Sequence, residues 1–110
     1  MVFYPDRHKC LSVLELERVR IGNGRVMFDK LDEASLSLAM DYLQVAAWLA
    51  GFISARNQFD VSTDGNLTKG TDTKDWMNWI FSYCRQHPTS EIFTAALDFS
   101  NNLKASNKPN

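Results

Sequence analysis

Apolar residues along this chain fall into four groups divided by polar, glycine-bearing or proline-bearing stretches, and the spacing within each group predicts a helix. From about Asp6 to Arg20, the residues Cys10, Val13 and Leu14, with Leu16 and Val19, recur at helical intervals ahead of Gly22-Asn23-Gly24. Glycine and asparagine accept positive φ, so Ile21 to Gly24 suits a helix end followed by a turn. The second group, Asp32 to about Gln58, opens on two acidic residues and continues without proline through strong helix formers. Its length is roughly 26 residues, or ~39 Å. Leu36, Met40, Leu43, Ala47, Ala50 and Ile53 form one stripe along it, and Leu38, Tyr42, Val45, Leu49 and Phe52 form a second beside the first. Together they exceed a single amphipathic face, which predicts a central helix with the others packed around it. Gly51 costs about 1 kcal/mol relative to alanine; it marks either a close approach by a neighbour or a kink.

Residues 57–70 combine Asp, Ser, Thr, Asn and two glycines and read as a long loop. Thr71-Asp72-Thr73-Lys74-Asp75 supplies caps for a third helix, in which Trp76, Trp79, Ile80, Tyr83 and Cys84 follow the i, i+3, i+4, i+7, i+8 pattern. Pro88 ends it, and Thr89 or Ser90 caps a fourth helix running to about Leu103, with Ile92, Phe93, Ala96, Leu97 and Phe99 as its apolar positions. The tail 104–110 is polar and expected to fray. The fold class is therefore all-α, four to five helices around one long central apolar helix, in a single domain over 1–110.

Hydrophobic residues make up 45% and charged residues 23%, values of a chain that folds. A net charge of -1 with interspersed signs gives no basic patch for nucleic acid or an anionic membrane. The apolar run Val45 to Ala55 is too short to span a bilayer, so no membrane insertion is expected. Met1-Val2-Phe3-Tyr4-Pro5-Asp6-Arg7 lacks the basic start and apolar stretch of a secretory signal. Two alternatives stay open: a cytoplasmic protein, or an exported one whose signal has been removed.

Cys10 and Cys84 are the only cysteines, both on inferred inner helix faces. In an oxidising compartment they would close a loop of about 75 residues, worth on the order of 4 kcal/mol; in the cytoplasm they would be two buried thiols. No Cys-x-x-Cys or metal-ligand spacing surrounds them. His8 and His87 have no helical partner for sharing a metal, and Cys84 with His87 fails as a catalytic pair if Cys84 is buried, where a thiol's reactivity falls. Asp60 to Asp64 resembles a piece of a calcium loop without its ladder or final glutamate. No catalytic residue, cofactor or metal site is expected. The aromatic residues Trp48, Trp76, Trp79, Tyr83, Phe93 and Phe99 read as core, with one tryptophan to spare for a surface contact. The candidate interaction loop carries Asn57, Phe59, Asp60, Asp64, Asn66 and Lys69, because loops on a rigid scaffold are free to vary.

The stretch Trp79-Ile80-Phe81-Ser82-Tyr83-Cys84-Arg85-Gln86-His87-Pro88, followed by Phe93-Thr94-Ala95-Ala96-Leu97, resembles the end of small bacterial periplasmic helical proteins. These are the HdeA/HdeB-like acid-stress chaperones and the Tai-type immunity proteins of secreted cell-wall amidases. Trp48 to Asn57 looks like their glycine-bearing helix, with Cys10 as an early cysteine, so the likeness covers about half of the chain. The resemblance implies export, an all-helical fold, a Cys10–Cys84 disulfide and no catalytic residue. This chain is richer in tryptophan and poorer in lysine than the chaperones, and has one disulfide at most where many immunity proteins have two. The first expectation is an exported, non-enzymatic protein that binds another protein, as an immunity or inhibitor protein does. A periplasmic acid-stress chaperone is the second, separated from the first by loss of its fold in acid. The third is a cytoplasmic regulator or enzyme with reduced thiols. The partner's identity and a homodimer both stay open.

Overall fold

The computed structural model describes residues 2–21, 25–26, 32–59, 68 and 70–106. The fold is all-α. In chain order it consists of α1 (Cys10–Leu14), a 3-10 helix (Glu15–Val19), β1 (Arg20–Ile21), β2 (Arg25–Val26), α2 (Glu33–Phe59), α3 (Thr73–Gln86) and α4 (Ile92–Ser106). The two short strands form an antiparallel ribbon, Arg20 opposite Val26 and Ile21 opposite Arg25. That ribbon replaces the helix end expected near Ile21.

The first helix is also shorter than its apolar spacing predicts, because its leading residues hydrogen-bond elsewhere. A turn closes with Arg7 N–H and His8 N–H donating to the Tyr4 carbonyl (2.9 and 2.8 Å). The carbonyls of His8 and Pro5 accept from the N–H groups of Ile92 and Phe93, each at 2.9 Å. A helix leaves its first N–H groups without internal partners, and this segment, rather than a Thr89 or Ser90 side chain, satisfies two of them in α4. In return Cys10 N–H donates to Ser90 O (2.7 Å) and Leu11 N–H to Pro88 O (3.0 Å).

Ala39, Tyr42, Val45, Ala46, Leu49 and Ile53 of α2 are buried, and the helix packs against the 3-10 helix, α3 and α4. The second predicted stripe thus faces the core, joined by two alanines that let neighbours approach closely. The first stripe divides: Ile53 is buried, whereas Leu36, Met40 and Leu43 are 42%, 55% and 43% exposed. α2 runs unbroken through Gly51, which is exposed. The helix is also longer than its uninterrupted apolar run, since the uncharged Ser35, Ser37 and Gln44 extend it. By length and composition alone it is long and apolar enough to cross a bilayer, with 33% of its most apolar window buried inside the fold.

α3 starts at a reciprocal cap: Asp72 Oδ1 accepts from Asp75 N–H (3.0 Å) and Asp72 N–H donates to Asp75 Oδ2 (3.1 Å). The preceding Gly70 has φ 78°, the left-handed region that glycine enters without steric cost. The Asp75 backbone N–H holds the Asp72 carboxyl below its ordinary 3.8, as Ser35 does for Asp32 at the start of α2. A depressed carboxylate contributes stability that is complete above the unfolded value and is lost as pH falls through the folded one. Asp72→Ala is therefore expected to lower the melting temperature by about 5 °C at pH 7, and by less below pH 3, as thermal scans by circular dichroism at both pH values would show.

Met77, Ile80, Phe81 and Cys84 are the buried residues of α3, so the buried arc lies to one side of the predicted stripe; Trp76, Trp79 and Tyr83 flank it half-buried. Their polar atoms explain the placement. Trp76 Nε1–H donates to Thr71 Oγ1 (2.9 Å), and the Tyr83 hydroxyl donates to Asp98 (2.8 Å). In α4 the core residues are Ile92, Ala95, Ala96, Phe99 and Leu103, and the buried Ser100 hydroxyl donates to Leu97 O (2.8 Å). The helix continues through Lys104 to Ser106, past the expected fraying point. Cys10 and Cys84 form a fully buried disulfide with Cα atoms 4.8 Å apart, joining α1 to α3. Beside it, Arg85 Nη1 reaches both carboxylate oxygens of Glu17 (2.8 and 3.0 Å).

Candidate protein-binding face

The bonded Cys84 faces the core and fixes the rotation of α3 about its axis, turning another side of the helix outward. On that side, Trp79, Ser82, Tyr83 and Gln86 line an open cavity of about 220 Å³. Positions 79, 83 and 87 are each four residues apart and so stack one above the next. Trp79 and Tyr83 are stacked with ring centroids 5.4 Å apart, and Tyr83 and His87 are 4.4 Å apart. Trp79 also leans on Phe99 of α4 (5.1 Å), and the Tyr83 hydroxyl is anchored to Asp98 Oδ2 (2.8 Å). Burial, reinforced by the Asp98 carboxylate, pushes the Tyr83 phenol above its ordinary value of 10.0. Tyr83 is therefore a neutral donor at physiological pH. The result is a braced aromatic ladder beside the hydroxyl of Ser82 and the amide of Gln86, a surface able to take an apolar side chain and hydrogen-bond its backbone.

The other predicted residues fall elsewhere. Asn57 and Phe59 lie in the last turn of α2 rather than in a loop, because the helix runs on to Phe59. Asp60, Asp64, Asn66 and Lys69 lie outside the described residues. Cys84 is disulfide-bonded and has no thiol to offer His87, whose backbone N–H caps α3 on Tyr83 O at 2.9 Å. His8 Nδ1 accepts from the Tyr4 N–H (2.9 Å), and its ring lies 5.4 Å from that of Phe3. Among the described residues, no three His, Cys, Asp or Glu side chains come together as a metal site.

Ser82, Gln86 and the Tyr83–Asp98 pair were missed by sequence reasoning. The signal that could have found them is the i, i+4, i+8 series Trp79-Tyr83-His87, which is distinct from the buried series through Ile80 and Cys84. Fold and face together define a disulfide-pinned, all-helical protein with an aromatic outer face on α3. Comparison with known protein families, with curated proteins and with solved structures returns no match.

Proposed function

We propose that this is an exported, non-enzymatic protein that binds another protein through the outer face of α3, in the manner of an inhibitor or immunity protein. The observation that carries this reading is the Trp79–Tyr83–His87 ladder over an open cavity, on a helix pinned by a buried disulfide. Tryptophan and tyrosine dominate the energetics of protein interfaces because they bury much area for little lost rotamer freedom and keep a polar tip. Here Phe99 and Asp98 hold the ladder in place before any partner arrives, which lowers the ordering cost of binding. The disulfide supports an oxidising compartment, periplasmic or extracellular. The motif Trp79 to Pro88 resembles that of both the acid-stress chaperones and the amidase immunity proteins, so the inhibitor reading rests on the outer face of α3 rather than on the motif.

The test is site-specific photo-crosslinking from position 82 or 86 in the native host, followed by titration of the captured protein. Trp79→Ala, with its circular dichroism spectrum unchanged, is expected to weaken that complex by at least about 30-fold, an interface anchor's worth of about 2 kcal/mol. Crosslinks confined to other faces, or affinity untouched by Trp79→Ala, would count against the proposal. Recovery of the protein with Cys10 and Cys84 alkylated before any reduction would remove the export half of it.

A further inference from the structure

The outer face of α2 presents a different surface with a different occupant. No exposed residue between Leu36 and Gln58 is charged, over a helix that faces water along that side for six turns. Its first half carries the exposed Leu36, Met40 and Leu43, and its second half carries Ala47, Gly51 and Ala55, all exposed and all small. A solvated helix face normally carries Lys, Glu and other polar residues, so an uncharged one of this length points to an unseated partner. Gly51 sharpens the argument. A Cβ there would meet nothing within 4 Å, so no contact inside the chain requires glycine, although glycine is the costliest helix residue short of proline.

We propose that this face is the interface with a second copy of this chain, the two α2 helices running antiparallel across a two-fold axis that passes between Leu43 and Ala47. In that arrangement the bulky half of each helix lies on the small half of the other: Leu43 meets Ala47, Met40 lies over Ala50 and Gly51, and Leu36 reaches Ser54. Such self-complementarity is what an isologous interface demands. Charge selects the same direction. The exposed acidic end at Asp32 and Glu33 comes alongside the uncharged Asn57-Gln58 end of the other copy, since Arg56 is turned to Asn101 of α4, whereas parallel pairing would set acid against acid. The surface continues sideways through Phe52 to the exposed Phe93, whose rings are 5.8 Å apart. A 27-residue helix with this margin buries about 500 Å² on each copy, the lower edge for a specific interface, which fits a reversible dimer rather than an obligate one. A bilayer surface is the competing occupant; the one basic residue of α2, Arg56, is turned to Asn101 of α4, so within the helix no Lys or Arg borders the stripe as on an interfacial helix.

Sedimentation equilibrium of the oxidised protein from about 1 µM to 500 µM tests the proposal. A monomer–dimer equilibrium is expected, weakened at least about 30-fold by Met40→Glu and at least about 10-fold by Gly51→Leu. Gly51→Leu also separates association from folding, since leucine is a better helix former and has open space. The dilute monomer should melt at a higher temperature than wild type while associating less. Glu33→Gln should leave the antiparallel dimer nearly unchanged; a clearly strengthened dimer, from relief of acid against acid, would overturn the antiparallel arrangement. A monomer throughout the range, or a dimer indifferent to both substitutions in the stripe, overturns the proposal. So does a monomer that co-sediments with phosphatidylcholine–phosphatidylglycerol vesicles and loses that binding in Met40→Glu.

Discussion

The Cys10→Ala, Cys84→Ala double variant is expected to lose about 4 kcal/mol of stability, lowering the melting temperature by roughly 15–25 °C. The bond spans a sequence separation of 74 residues, so reduction frees a large fraction of the unfolded chain's conformations. Since a domain of this size is stable by only about 5–15 kcal/mol, this is a large share of the whole. Both sulfurs lie in a fully buried layer beside Val13, Ile80 and Phe81. Two alanines therefore leave a small cavity, which adds to the loss. Adding reductant to the wild type and following unfolding in urea should reproduce most of the effect without a substitution. A reduced protein as stable as the oxidised one would mean that helix packing alone holds α1 against α3.

Phe81→Ala is the other large effect expected, at about 3–5 kcal/mol. Phe81 is 0% exposed, and its ring lies 6.3 Å from that of Tyr42, at the junction of α3 with α2. Met77, one turn earlier on the same buried face, is itself fully enclosed, which limits how far the core can relax into the space. In guanidinium titrations the midpoint should fall with the slope unchanged. Phe93→Ala removes the same ring from a position 42% exposed, and is expected to cost less than about 1 kcal/mol. Equal losses at the two positions would contradict the core described above.

The comparison of these phenylalanines shows what was readable in the chain. Helical periodicity found α2, α3 and α4 to within a few residues, because each is long and carries apolar residues on repeating positions. It misjudged which of those residues are enclosed. Leu36, Met40 and Leu43 are as apolar as Leu49 and Ile53, and only the positions of the neighbouring helices distinguish them. In α3 hydrophobicity alone turns the tryptophans and Tyr83 inward, with one tryptophan to spare for the surface, whereas the Trp76 N–H and the Tyr83 hydroxyl find their partners at the boundary in Thr71 and Asp98. The first segment was the least legible. Its Cys10–Val19 spacing suits a helix, but hydrogen bonds from α4, distant in sequence, claim the carbonyls of Pro5 and His8. Of the outer face on α3, the ladder residues were visible as letters, whereas Ser82, Gln86 and Asp98 enter through geometry that no local pattern encodes.

That borrowed cap on α4 has a consequence for how the chain is made. A ribosome releases Pro5, His8 and Cys10 well before the groups they serve, the N–H groups of Ile92 and Phe93 and the sulfur of Cys84. Pro5, His8 and Cys10 cannot settle into these contacts until about eighty further residues have been made, so the cap on α4 and the disulfide join the two ends of the fold in a late step.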